Sequence, residues 1–278
     1  MNTGTHYPAA ETARPARGRR VIVLLVCLGF FAAASAGAAE DDAPRGYVEL
    51  GANWHNLDQG YGDWLGAYIK GAWRQTPSTT WNAEVVRQRE FDDRGTYAAL
   101  GVTHDLDPRS YISFSVGGSQ GGFFLPRVRT DLFYSRKWLA NAQLVSTVGI
   151  GYIDAKDVHS DRSYFAGLAY YFGSPWVIEG GVRVNYSEPG AVSATRGFVA
   201  VTYGREKQRL ITARAESGRE AYQLTGENQV LVDFSSDVQS LAWREWVSAR
   251  AGFQLQLERY HNPFYDRHGV VAGVFKDF

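Results

Sequence analysis

From Gly46 to Phe278 the chain is a succession of segments of about ten residues in which apolar and polar side chains alternate. In the first, Val48, Leu50, Ala52 and Trp54 share one face, and Glu49, Gly51, Asn53 and His55 share the other. In the second, Leu65, Ala67, Ile69 and Trp73 oppose Gly66, Tyr68, Lys70 and Arg74. Period two means strands whose two faces meet different surroundings. The last segment, Gly269 to Phe278, puts Val270, Ala272 and Val274 on one face with Phe278, and Gly273 on the other. Lys276 interrupts the apolar face. A chain that stops on an aromatic in mid-strand leaves an open edge unless that strand pairs with another. Closing the last strand on the first removes the edge, and inside a bilayer closure is obligatory.

The alternation repeats fourteen times, with punctuation such as Gln75-Thr76-Pro77-Ser78, Asp107-Pro108, Gly173-Ser174-Pro175 and His261-Asn262-Pro263. The expected fold is all-β: a transmembrane antiparallel β-barrel of the bacterial outer membrane, of about fourteen strands over residues 46–278. Twelve is the alternative count if the region 229–247 is misread. An even number returns both ends of the barrel to one side. Connections after the even strands read as short turns and several of the others as longer, polar loops, the longest from Gly218 to Asn228. Trp54, Trp64, Trp73, Trp81, Trp138, Trp176, Trp243 and Trp246 fall at strand ends, where indole suits the headgroup layer, and are read as the membrane-interface girdle. Gly273 and Phe278 mark the barrel-closing strand.

The register sorts the charges. Glu49, Lys70, Glu84, Arg129, Asp131, Lys137, Glu179, Arg183, Arg196, Arg214 and Glu216 all fall opposite the apolar face. A basic residue facing lipid at mid-bilayer costs about 2–4 kcal/mol, so these are assigned to the lumen; a slip of one residue would place them in lipid.

Residues 1–38 have the layout of a secretory signal peptide: Arg14, Arg17, Arg19 and Arg20, an apolar run from Val21 to Ala34, and Ala36-Gly37-Ala38 as the cleavage site. The apolar run is shorter than the roughly 20 residues of a spanning helix. Cleavage near Ala38 leaves 39–45 as a short periplasmic segment before the barrel. It also removes Cys27, the one cysteine, and with it any disulfide or thiolate metal site. With residues 1–38 gone, 25 basic residues stand against 28 acidic ones, which argues against a nucleic-acid partner.

The strand Arg209-Leu210-Ile211-Thr212-Ala213-Arg214, the entry Ser217-Gly218-Arg219-Glu220-Ala221-Tyr222, the polar stretch after it and the final hairpin closing in Gly273 to Phe278 resemble the YaiO family of outer-membrane barrels. The resemblance is greatest over Lys207 to Phe278 and weaker back to Tyr47. It implies an outer-membrane location, assigns no activity to particular residues, and hints at an association with envelope polysaccharide. Outer-membrane lipid, lipopolysaccharide and the barrel-assembly machinery are the expected partners.

No catalytic pattern stands out. His55, His104, His159, His261 and His268 form no H-x-x-x-H or H-E-x-x-H arrangement, and no serine sits in G-x-S-x-G. His261 and His268 flank one loop with Asp266, and Asp92-Asp93 reads as a solvated turn. No enzyme activity, cofactor or metal is therefore expected. The lumen charges leave two readings. Opposite charges that face one another make a structural network, whereas segregated charges line a pore and set its selectivity. Fourteen strands enclose more than side chains fill, unless a loop such as Gly121 to Pro126 folds inward. The expectation is a passive channel or export conduit for polar solutes or glycans. It is set against a closed, salt-bridged structural or surface-interaction barrel and, further off, a lipid-modifying enzyme.

Overall fold

The computed structural model describes residues 45–173, 175–226 and 229–278. Residues 1–38, read from the sequence as a signal peptide, and residues 39–44 lie outside the described residues. Fourteen antiparallel strands form one closed barrel: β1 (Gly46–Leu57), β2 (Trp64–Thr76), β3 (Thr79–Glu90), β4 (Asp93–Asp107), β5 (Ser110–Gly121), β6 (Val128–Trp138), β7 (Leu144–Asp154), β8 (Ser160–Tyr171), β9 (Trp176–Glu188), β10 (Val192–Arg205), β11 (Arg209–Gly226), β12 (Gln229–Trp246), β13 (Ala251–His261) and β14 (Asp266–Asp277). Each strand pairs with its neighbours in the chain, and β14 pairs with β1. Gly51 lies opposite Gly273, and Gly46 and Phe278 exchange backbone hydrogen bonds at 3.0 Å in both directions. The terminal aromatic thus completes the seam.

The alternation of the sequence becomes an apolar outside and a polar inside. Leu50, Ile69, Leu100, Val148, Ile150, Leu168, Val199, Leu241 and Val274 are exposed on the outer wall, as a surface solvated by acyl chains requires. Among the described residues no helix is long and apolar enough to cross a membrane; the strands do it.

The connections differ from expectation. At the end opposite the termini they include residues 58–63 and 122–127, but also the two-residue turn Phe91-Asp92, where both residues take positive φ as a tight hairpin demands. The Gly218–Asn228 loop does not exist as such: through Gly226 it belongs to β11. β11 and β12 are 18 residues each, where the other strands have 11 to 15. The polar composition that suggested a loop is that of a hairpin rising beyond the membrane. Single-chain bacterial barrels keep their turns, and here the termini, on the periplasmic side. The long hairpin therefore stands at the outer end.

Candidate functional site

The barrel interior is the candidate site. All eleven charges assigned to the lumen lie on the inner face, each on the strand register opposite the exposed apolar residues. They do not stand alone. Glu49, with 0 % of its side chain accessible, accepts hydrogen bonds from Arg244 Nη1 at 2.6 Å and Tyr68 Oη at 2.9 Å, and Lys70 Nζ lies 3.1 Å away. Gln254 donates to Tyr68 Oη at 2.8 Å. Arg129 Nε pairs with Asp131 at 2.7 Å. Arg196 bridges Glu216 at 2.8 Å and Glu220 at 2.6 Å, and Arg214 reaches Glu216 at 3.0 Å. Opposite charges meet within strands (Arg129 with Asp131, Arg214 with Glu216), across neighbours (Lys70 with Glu49, Arg196 with Glu216) and from β12 to β1 (Arg244 with Glu49), which is the network arrangement. Lys70 and Arg214 nevertheless keep 30 % of their side chains accessible, although both point into the barrel.

The outer mouth is closed. Above Glu220 and Phe234 the β11–β12 hairpin changes face: Ala221 and Gln223 are buried although their register faces outward lower down, and Asp233 takes φ +50°. Asp tolerates this left-handed conformation better than most residues. The described part of the hairpin consequently leans over the opening. Gln223, fully buried, donates to the Tyr265 hydroxyl and accepts from Asn262 Nδ2 at 3.3 Å. Burial pushes the Tyr265 phenol up, so it stays a neutral partner. Leu57, Trp64, Phe91, Tyr260 and Tyr265 form a buried cluster, with Tyr61, Phe123 and Leu231 packed against it. The loop after β5 does fold inward: Phe124 is buried, and Asp93 Oδ2 accepts from the Phe123 N–H at 2.7 Å. Asp93 is a loop anchor rather than half of a solvated acidic turn. Polar links run down from this cap, from Asn262 to Tyr260 at 3.0 Å, Tyr260 to Glu220 at 3.0 Å and Arg196 to Glu220.

Two of the eight tryptophans are misplaced by the girdle reading. Trp64 is 2 % exposed and lies inside the mouth, with the Arg267 guanidinium 4.6 Å from its ring. Trp246 faces the lumen at the periplasmic end, where its Nε1 donates to Asp277 at 3.0 Å and its ring meets Phe275. Both sit on the same register as inward residues, Trp64 with Tyr68 and Lys70, Trp246 with Arg244. Of the others, Trp54 lies near the outer end, and Trp73, Trp81, Trp138, Trp176 and Trp243 lie on the outer face at the periplasmic end. There Trp73 pairs with Trp81, and Trp176 packs on Tyr203.

The inner wall also carries aromatics that sequence reasoning passed over. Tyr68, Tyr97, Phe133, Phe165 and Phe198 sit on β2, β4, β6, β8 and β10, facing in, and each leans over a glycine of an adjoining strand: Gly51, Gly117, Gly149 and, for the last two, Gly181. A Cβ on Gly181 would come within 2.8 Å of the Phe198 ring. The signal was present in the sequence as glycines on the inward register of the odd strands. Aromatic cover of such glycines stiffens a sheet. Among the described residues no group of three or more His, Cys, Asp or Glu is placed to hold a metal ion.

Comparison with known proteins places this geometry. The CymD monoaromatic hydrocarbon channel aligns with a TM-score of 0.60 over 84% of this chain and 89% of that one, at 7% identity. The Pseudomonas putida toluene transporter TodX aligns with a TM-score of 0.58 over 84% of this chain and 90% of that one, at 11% identity. At such identities the likeness is of fold alone. No curated protein matches the sequence. The model of the YaiO membrane β-barrel domain matches residues 45–223, so most of the Lys207–Phe278 segment that carried the sequence resemblance lies beyond it. On that match the chain belongs to the YaiO family of membrane β-barrels.

Proposed function

We propose that this outer-membrane barrel is a passive conduit for polar solutes or glycans, closed at its outer mouth by the β11–β12 hairpin and carrying no enzymatic activity of its own. The observation behind the reading is the contrast along the lumen. Lys70 and Arg214 point inward yet remain accessible below, while Gln223, Trp64 and Tyr265 are buried above. A lumen lined by both signs of charge is a poor path for apolar cargo and a good one for hydrated, polar molecules. Export with cleavage near Ala38 and assembly among lipopolysaccharide complete the proposal. The paired charges favour a second reading, a barrel whose salt-bridged interior is structural.

Single-channel conductance separates the two. Residues 39–278 are refolded into a planar bilayer, alongside a variant in which a two-residue Asn-Gly turn replaces residues 222–232. The conduit reading expects a quiet parent and discrete ohmic steps from the variant, with ion selectivity shifted by charge reversal at Arg129, Arg183 or Arg214. A silent variant with heat-modifiable, folded migration on gels would establish the structural barrel instead.

A further inference from the structure

Not every charge on the strands faces in. Arg87 and Arg89 on β3 and Arg94 on β4 are exposed on the register of Val85 and Leu100, the register that faces lipid. Arg89 lies directly opposite Arg94, and Arg87 opposite Thr96. Like charges set opposite in a sheet repel. Other arginines at the outer end are matched: Arg127 with Asp154 at 2.8 Å, Arg219 with Asp233 at 2.7 Å and Arg259 with Asp266 at 3.6 Å. Among the described residues Arg87, Arg89 and Arg94 have no such carboxylate partner. Asp63 senses the charge of Arg89, but its oxygens accept from Trp54 and Asn56 at 3.0 Å. Asp93 takes the backbone N–H groups of Arg94 and Phe123 at 2.8 and 2.7 Å.

The girdles fix the depth of the three. Arg89 is joined through Leu65 to Trp54 at the outer end, and it stands eight residues above Trp81 on the same strand. At about 3.4 Å per residue and a tilt of about 40°, eight residues climb roughly 20 Å through an apolar band about 25 Å tall. Arg89 and Arg94 therefore reach the upper rim of the band, and Arg87 lies one step lower, within snorkelling distance of it. Beneath them Val85, Ala98 and Leu100 offer an apolar wall.

We propose that Arg87, Arg89 and Arg94 form a binding site for a phosphate of lipid A, the phosphorylated glycolipid anchor of lipopolysaccharide in the outer leaflet. A phosphomonoester carries about −1.5 to −2 charges, and guanidinium forks match its oxygens. Its charge cancels the repulsion between Arg89 and Arg94, and its acyl chains lie on the wall below. A general headgroup anchor needs no opposed pair of arginines. Arg162 on β8, between Tyr152 and Tyr186, is an outward arginine without such a neighbour and serves as the control. The site is independent of whether the lumen conducts.

The test is native mass spectrometry of the folded protein, purified from outer membranes in detergent and stripped of lipopolysaccharide. It is titrated with bisphosphorylated lipid A, with lipid A freed of its phosphates and with phosphatidylglycerol. One lipid A per barrel is expected, with the other two lipids bound more weakly by about tenfold or more. Millimolar inorganic phosphate is expected not to displace it, which separates a lipid site from a free-phosphate site. Arg87→Gln, Arg89→Gln and Arg94→Gln together are expected to weaken lipid A by about tenfold or more, and Arg162→Gln to leave it unchanged. Arg94→Gln alone, expected to weaken it about threefold, serves if the triple variant lacks heat-modifiable migration. Equal binding of either other lipid, displacement by inorganic phosphate, parental affinity in the arginine variants or an equal loss from Arg162→Gln would overturn the site. So would a dimeric parent and a monomeric triple variant, because the arginines would then face a second copy.

Discussion

Glu49 is the side chain on which the interior depends most. It is inaccessible to solvent and holds Arg244, Lys70 and Tyr68 at 2.6, 3.1 and 2.9 Å. Glu49→Ala leaves two cations facing each other across β1 with no anion between them. Removing one partner of a buried ion pair costs about 3–5 kcal/mol, because the remaining charge is left uncompensated. Arg244 and Lys70 are 22 % and 30 % accessible, so water recovers part of that and the lower half of the range, about 3 kcal/mol, is expected. Replacing both ends of the shorter contact, Glu49→Leu with Arg244→Met, removes the more buried of the two stranded cations, leaves only the 30 % accessible Lys70 without this partner, and should cost about 1 kcal/mol beyond wild type. Glu49→Leu, Arg244→Met and the double change form a cycle with a coupling of about 2–3 kcal/mol. Urea unfolding of the barrel in lipid vesicles, followed by tryptophan fluorescence and heat-modifiable migration, measures it. A Glu49→Ala variant within about 1 kcal/mol of the parent, or singles that add to the double within about 0.5 kcal/mol, would refute the view of these residues as one unit.

Two further expectations use the tryptophans. In single-tryptophan variants reconstituted in brominated-lipid vesicles, Trp54, Trp73, Trp138, Trp176 and Trp243 should be strongly quenched, and Trp64 and Trp246 should stay bright; quenching of the last two would return them to the lipid face. Asp63, in the loop after β1, is held below its ordinary 3.8 by hydrogen bonds from Trp54 Nε1 and then Asn56 Nδ2, both at 3.0 Å. Its native value is depressed, so the tether is complete above 3.8 and is lost as pH falls through the lowered value. Trp54 fluorescence should titrate in that acid range, and Asp63→Ala should flatten the curve.

Period two made most of the fold legible. Once the apolar register of each strand is set outward, as by Leu50 on β1 and Ile69 on β2, the inward positions of charges such as Glu49 and Lys70 follow. The same rule was enough to place two tryptophans that were read by their location at strand ends instead. Trp64 sits one residue before outward Leu65, and Trp243 and Trp246, three apart, cannot share a face. What alternation could not give is anything that depends on which strands are neighbours. Arg244 and Glu49 are 195 residues apart and meet only because β14 closes on β1. Glycines on β5, β7 and β9 acquire meaning only when Tyr97, Phe133, Phe165 and Phe198 are set beside them. The hairpin cap was hidden for a different reason. Residues 218–226 mix polar and apolar side chains on both registers, because the strand stands clear of the membrane and then turns inward, so period two carries no signal there.

The distribution of satisfied and unsatisfied polar groups separates a rigid barrel from its closure. In the lower and middle lumen Glu49, Asp131, Arg196 and Glu216 have charged partners within 3.1 Å. Just beneath the cap His55 Nδ1, Trp64 Nε1, Glu90 Oε2 and Arg267 Nε are buried without a hydrogen-bond partner. They surround one guanidinium: Arg267 is held between the rings of Trp64 and Tyr260 at 4.6 and 4.8 Å and pairs with Glu258 at 2.7 Å. Each such orphan costs on the order of 1–3 kcal/mol while it stays dry. That cost attaches to the closed mouth, not to the barrel wall, whose strands are hydrogen-bonded all round the circuit. Wetting the layer under the hairpin would relieve it at the expense of the aromatic cluster around Trp64 and Tyr265. On the proposed conduit reading, this closure, whose burial is set against its own unpaired polar groups, is the part that opens, while the hydrogen-bonded wall holds its shape in lipid.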